Sequence, residues 1–111
     1  MVYNLDWKAQ TAKQTREKNL IRRYNLDWEG MLLILEEQEY KCPIMLTPLS
    51  EYDAHCDHSH EDGYVRGLLS SSANVGLGHL GDSVENLERA ITYLNKNKEW
   101  RNVIISRPDM V

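Results

Sequence analysis

No stretch of this chain approaches the roughly 18 consecutive apolar residues that a membrane-spanning helix needs, so no membrane partner is expected. Residues 1–10 lack the basic start, apolar run and small-residue cleavage site of a secretory signal. The expected location is therefore the cytoplasm. Cysteine is scarce. Cys42 and Cys56 are the only two, and in a reducing compartment such a pair reads as separate thiols, not a bridge. An excess of basic charge is missing too: 17 acidic residues outnumber 13 basic ones, for a net charge of −4, which excludes a simple polycation for nucleic acid. A repeat architecture is also excluded. Tyr-Asn-Leu-Asp-Trp occurs at residues 3–7 and 24–28, but no third copy follows, and repeat folds need several.

With 111 residues, 41% hydrophobic and 27% charged, the chain has room for one small globular domain and an arm. The division expected is a basic helical arm over residues 1–24, a domain over 25–98 and a tail over 99–111. The charge is uneven in the same way. Lys8, Lys13, Arg16, Lys18, Arg22 and Arg23 against Asp6 and Glu17 give the arm +4 and leave −8 for the rest. A basic arm on an acidic body suits a protein that holds phosphates with one part only.

Asp6 and Asp27, in the repeated pentapeptide, read as helix N-caps, because a carboxylate there accepts bonds from free backbone N–H groups. They predict one helix over residues 7–23, with Leu20 and Ile21 its only large aliphatic residues, and a second over about 28–38. In the second, Trp28, Met31, Leu32, Ile34 and Leu35 make one apolar face, and Gly30 weakens the helix modestly. Pro43 and Pro48 turn residues 40–50 into a loop or irregular hairpin. Residues 52–60 and 64–69 then form a β-hairpin, with Gly63 supplying the positive φ of the turn. A short helix starting near residues 70–72 carries Asn74 and Leu77 past Gly76 and Gly78. Ser83 caps a last helix to about residue 96, with Val84, Leu87, Ala90, Ile91 and Leu94 on one side. Residues 103–105 read as a short edge strand. The class is α+β.

Chemistry concentrates in one place: His55, Asp57, His58 and His60 lie within six residues, just before the turn. Alternation puts His55 with Asp57 on one face of the strand and His58 with His60 on the other. An irregularity near the turn is needed to bring Asp57 and His58 together, as bulges do beside active sites. An Asp carboxylate and an Asn carbonyl are hard oxygen ligands suited to Mg2+ or Mn2+. A neutral imidazole beside such an ion can take a proton from water, which suits phosphodiester hydrolysis. The residue types alone equally allow a solvated hairpin without a task, or a metal-binding regulator using His55, Cys56, His58 and His60.

In order and spacing the chain resembles the recombination endonuclease VII family, within the HNH or His-Me finger nucleases, over residues 24–96. The resemblance is carried by Tyr24-Asn25-Leu26-Asp27, Lys41-Cys42-Pro43-Ile44-Met45, His55-Cys56-Asp57-His58-Ser59-His60, Gly63-Tyr64-Val65-Arg66-Gly67-Leu68-Leu69, Asn74 with Leu77-Gly78, and Ala90-Ile91 with Tyr93-Leu94. It implies a ββα-metal core with flanking helices. Asp57 and Asn74 would hold a divalent ion, Mg2+ or Mn2+. His58 would be the general base, with His60 and His55 contacting or orienting the scissile phosphate. Arg66 could clamp a phosphate bidentately or pair with Glu61 or Asp62. Family members usually hold a structural zinc with two Cys-x-x-Cys pairs, whose positions here read Cys42, Met45, Ser70 and Ala73. One ligand of four is left, so no structural zinc is expected, and Met45, Leu46, Leu68 and Leu69 are expected to pack in its stead. His79 sits five residues after Asn74, about 100° off the i, i+4 ligand position, and reads as surface or core polar.

The implied activity is a metal-dependent DNA endonuclease on branched DNA. Nicking or homing cleavage of linear duplex is the alternative, as is a catalytically silent DNA-binding module. Lys13, Arg16, Lys18, Arg22 and Arg23 are expected to contact DNA phosphates. Symmetric cleavage of both strands would require a homodimer.

Overall fold

The structure, a computed structural model, describes residues 6–96, 100 and 109, with side chains from residue 8 onward. The cap expected of the Asp6 side chain and the strand expected at 103–105 lie outside the described residues. Among these, the elements are α1 (Asp6–Tyr24), α2 (Trp28–Glu37), β1 (His55–His58), β2 (Val65–Leu69), α3 (Ser71–His79) and α4 (Val84–Lys96), an α+β set whose strands form one antiparallel sheet. None of the described helices is long and apolar enough to cross a membrane. The chain forms two compact units, Met1–Val75 and Gly76–Val111.

In the first unit, the second copy of the pentapeptide is a joint between two helices. Asn25 takes φ 54°, the left-handed conformation that Asn tolerates better than most residues, and its N–H donates to Ile21 O at 3.0 Å, closing α1. Asp27, in extended conformation, then opens α2 by accepting the Gly30 N–H at 2.7 Å. A Cβ on Gly30 would lie 2.8 Å from that carboxylate oxygen. The residue that weakens the helix by propensity is thus the one that lets the cap close.

The second half of α1 is docked on the rest of this unit. Leu20 is buried while Ile21 is exposed, and α1 packs on β1. The Arg16 Nε donates to Glu51 O at 3.0 Å and its Nη2 to Ala54 O, gripping the turn that leads into β1. From α2, Met31 and Leu35 are fully buried, as is Leu68 of β2.

Residues 40–49 form the irregular hairpin, with Cys42 N–H donating to Thr47 O and Leu49 N–H to Tyr40 O, both at 2.8 Å. Here one expectation is overturned. Met45 and Leu46 are 51% and 71% exposed, so only Leu68 and Leu69 of the expected four fill the interior. Leu46, at φ 60°, sits on the tip of a left-handed turn that carries its side chain outward.

The first strand is shorter than alternation suggested. Asp53 Oδ1 accepts the Ser50 N–H at 2.6 Å, and Ser50 Oγ accepts from Tyr52 and Asp53. Side chains that bond their own backbone in this way draw it out of a ladder, and β1 begins only at His55. Gln38 completes the sheet from outside. Its Nε2 donates to Leu68 O at 2.8 Å while its Oε1 accepts the Leu68 N–H at 3.0 Å, so one amide side chain takes the place of a neighbouring strand. Gly67 leaves room for it, since a Cβ there would lie 3.0 Å from Gln38 Oε1.

In the second unit, α3 ends with Gly81 at φ 76°. Gly81 N–H bonds Gly78 O at 3.0 Å and Asp82 N–H bonds Leu77 O at 2.8 Å, the paired closure that follows a left-handed glycine. Ser83 Oγ then accepts the Asn86 N–H at 3.1 Å and caps α4. The periodic residues Val84, Ile91 and Leu94 of α4 are exposed, as is His79.

Candidate active site

The antiparallel register pairs His55 with Leu69, Cys56 with Leu68, Asp57 with Gly67 and His58 with Val65, so it shifts between Asp57 and His58. Arg66 is the extra residue of that irregularity. Its guanidinium returns across the sheet to Asp57 as a two-pronged ion pair, Nε to Oδ2 at 2.7 Å and Nη2 to Oδ1 at 3.0 Å. The Asp57 side chain is 14% exposed and that of Arg66 40%. Arg66 therefore meets the carboxylate expected to hold the metal, where the sequence had pointed to Glu61 or Asp62 of the turn as its acidic partner.

His58 stands between two rings. Its centroid lies 5.4 Å from that of Tyr24, at the end of α1, and 5.2 Å from that of His60. Past the strands, Ser59 N–H donates to Tyr64 O and Gly63 N–H to Ser59 O, both at 2.8 Å, and Gly63 takes φ 77° as expected of the turn. Tyr24, Asn25 and Leu26 on one side and Asp62, Gly63, Tyr64 and Val65 on the other enclose a cleft of about 570 Å³. The cleft thus shares Tyr24 with the His58 ring contact and Val65 with the His58 ladder pairing.

Asn74 is half-buried on α3, directly after β2. Ser70 starts that helix, its Oγ accepting the Ala73 N–H at 3.2 Å and its carbonyl the Asn74 N–H at 3.0 Å. Of the residues singled out from sequence, Asp57, His58, His60 and Arg66 are gathered at the turn end of the hairpin. His55 is exposed at the other end of β1.

The positions Cys42, Met45, Ser70 and Ala73 are linked to one another by hydrogen bonds. Cys42 is fully buried and its Sγ accepts the Met45 N–H at 3.4 Å. Burial raises its pKa, but hydrogen bonds from the Ser70 side chain and from the backbone of Ser70, Met45 and Ile44 outweigh burial and bring the thiol down to about 7. Ala73 is buried. Cys56 behaves oppositely: burial, only partly offset by the Arg16 charge, pushes its thiol up to about 11. Among the described residues no three or more His, Cys, Asp or Glu side chains converge as a metal-holding group.

The basic residues of α1 divide into two sets. Lys13 lies 3.8 Å from Glu17 and 5.1 Å over the Trp28 ring, and Arg16 grips backbone carbonyls. Lys18, Arg22 and Arg23 are exposed, with Arg22 Nη2 donating to Asn19 Oδ1 at 3.2 Å. Arg22 and Arg23 lie in the last turn of α1, just before Tyr24 and the cleft. Sequence reasoning missed Tyr24 as a neighbour of His58 and Gln38 as the support of β2. The recurrence of Tyr in the pentapeptide was a signal for the first; nothing in spacing marks the second.

The model of a family described as recombination endonuclease VII matches residues 17–96. A relative, the Gene 59 protein of Mycobacterium phage D29, is 32% identical over 96 residues, which cover 85% of this chain and 58% of the relative. The chain thus spans less than two thirds of that relative's length. No solved structure matches the chain.

Proposed function

This chain belongs to the recombination endonuclease VII family, and from that membership and the hairpin geometry we propose that it is a metal-dependent DNA endonuclease that hydrolyses phosphodiester bonds, with branched DNA as its substrate. The observation that carries the reading is the bulged hairpin, which presents a carboxylate and an imidazole on successive residues beside a cleft.

The donors suit a small, hard cation. Asp57 offers a carboxylate that already attracts a positive charge, the Arg66 guanidinium, to both of its oxygens, and Asn74 offers an amide oxygen from the helix that follows. Two protein oxygens are enough for Mg2+ or Mn2+, which keep waters and take substrate phosphate as further ligands, so no three-residue cluster is required. Held by Asp57 and Asn74, such an ion would supply charge stabilisation to the phosphate and the leaving oxygen. No structural zinc belongs to this reading: Cys42 is occupied by hydrogen bonds, and its three companion positions carry no zinc-binding side chain.

His58 takes a proton from the attacking water as the new P–O bond forms and the bond to the leaving sugar oxygen breaks. Its contacts with Tyr24 and His60 limit how the imidazole can turn. His60, beside His58 at the turn, and His55, at the far end of β1, contact or orient the phosphate in this reading. Lys18, Arg22 and Arg23, with Lys13 and Arg16 further back on the same helix, lead the DNA backbone to the cleft. Cutting both strands together requires a homodimer. The regulator reading is disfavoured by Cys56, which is buried against the core and keeps its proton at neutral pH.

The test is incubation of the full chain with supercoiled plasmid and with a four-way junction, in Mg2+ or EDTA. Cleavage of the junction in Mg2+ and not in EDTA is expected. Cleavage of plasmid alone would transfer the reading to linear duplex, and binding without cleavage of either would make the chain a silent module.

A further inference from the structure

The cleft beside His58 combines aromatic rings with charges of both signs. Tyr24 lines one side and is the last residue of α1, whose final turn carries the exposed Arg22 and Arg23. Asp62 and Tyr64 line the other side. Tyr64 is 76% exposed, a large ring held out in water at the tip of the hairpin. Asp62 Oδ1 accepts the Tyr64 N–H at 3.0 Å, which fixes the carboxylate next to that ring, and a carboxylate has lone pairs for further donors. The volume, about 570 Å³, falls in the range of roughly 300–1,000 Å³ typical of small-ligand sites. A bare phosphate would be drawn by the arginines but repelled by Asp62. An apolar segment would answer neither charge. A nucleotide answers both, with an anionic phosphate, a flat face for stacking and, in three bases of four, an exocyclic amine for the carboxylate.

We propose that this cleft receives an unpaired nucleobase next to the scissile phosphate, stacked on Tyr64, and that Asp62 selects bases bearing an exocyclic amine. This rests on the reading of the hairpin as the nuclease site. The Tyr24 ring lies 5.4 Å from that of His58, so a base seated against Tyr24 sets its own phosphate toward the general base. Stacking on tyrosine accepts any base, because every base has a π-face. Asp62 adds the preference. Adenine, cytosine and guanine each present an amine, whereas thymine has none, and its one imino N–H lies between two carbonyl oxygens that a carboxylate repels. Drawing a base out of a duplex costs its stacking and pairing, a cost that an already unpaired base avoids. A branch carrying an unpaired A, C or G therefore suits the cleft better than closed duplex.

The test measures binding of the full chain, by fluorescence anisotropy in EDTA, to five four-way junctions. Each carries one unpaired nucleotide at the branch: A, C, G, T or an abasic sugar. A, C and G should bind about tenfold tighter than the abasic junction, the scale of one stacked base, and T about threefold tighter. Equal binding of all five by the wild type overturns the proposal without recourse to any substitution. Tyr64→Ala should bring every base to within about twofold of the abasic junction, and Tyr64→Phe should keep the wild-type order; discrimination that survives Tyr64→Ala places the base elsewhere. Asp62→Asn, whose amide can donate to the thymine carbonyls, should raise T to the level of the other bases, and a persistent thymine deficit overturns the role of Asp62. Cleavage in Mg2+ separates this inference from the reading it rests on. Cutting of all five junctions at one rate sinks the base cleft and leaves the nuclease standing, whereas no cutting of any of them sinks the nuclease reading.

Discussion

Replacing Gln38 with alanine should cost the protein much of its stability, although Gln38 is a half-buried polar residue at the end of a helix. Its amide satisfies both backbone groups of Leu68, at 2.8 Å and 3.0 Å, and reaches Lys41 O at 3.2 Å. Leu68 is fully buried, so water cannot readily take over. Each hydrogen bond contributes about 1 kcal/mol net, and a buried N–H or C=O left without a partner costs about 1–3 kcal/mol. Allowing for partial relaxation, the loss should be about 2–4 kcal/mol, a large share of the 5–15 kcal/mol typical of a small domain. In urea this is a midpoint lower by about 1–2 M at unchanged slope. Gln38→Glu should be nearly as damaging, because a carboxylate still accepts from the Leu68 N–H but turns an oxygen toward the Leu68 carbonyl. A loss below about 0.5 kcal/mol for Gln38→Ala would refute the claim that this side chain acts as the third strand.

Three further outcomes follow from the same geometry. Gly30→Ala should fail to gain the roughly 1 kcal/mol that helix propensity promises, because a Cβ would push on the Asp27 cap at 2.8 Å; in an Asp27→Ala background the gain should reappear, and its absence there would remove the explanation. A thiol lowered from 9.0 to about 7 adds stability that is fully present above pH 9 and is lost as pH falls through 7. The stability gap between wild type and Cys42→Ala should therefore widen between pH 7 and pH 9, by about 1–3 kcal/mol in total; a constant gap would contradict the hydrogen-bonded thiolate. Finally, Lys18→Ala, Arg22→Ala and Arg23→Ala combined should lower the slope of log affinity for DNA against log salt by about 3, whereas Arg16→Ala should act on stability first, since its bonds are to Glu51 and Ala54.

How much of this was legible in the sequence depended on whether the decisive partner was local. Caps and turns were readable, because Asp27, Ser83 and Gly63 act on backbone within three residues. The cluster around His58 was readable from residue types and order. Strand length was not, since Ser50 and Asp53 bind their own backbone and delay β1. The Arg66 partner needed the register: without knowing that the ladder slips at Asp57, the acidic residues of the turn looked nearer. Gln38 and Arg16 reach backbone 30 to 38 residues away, and no periodicity encodes such a bond. Met45 and Leu46 were misjudged because their hydrophobicity was weighed without the left-handed turn that points Leu46 outward.

The central claim, that the bulged hairpin is where the phosphodiester bond is cut, is tested most directly by His58→Gln. The measurement is single-turnover cleavage of a four-way junction in Mg2+, with binding followed in parallel. The expected result is a rate lower by about 10²–10⁴, the usual contribution of a general base, with junction affinity within about threefold of wild type and the thermal melt preserved. Cleavage at the wild-type rate by the folded variant would place the chemistry elsewhere.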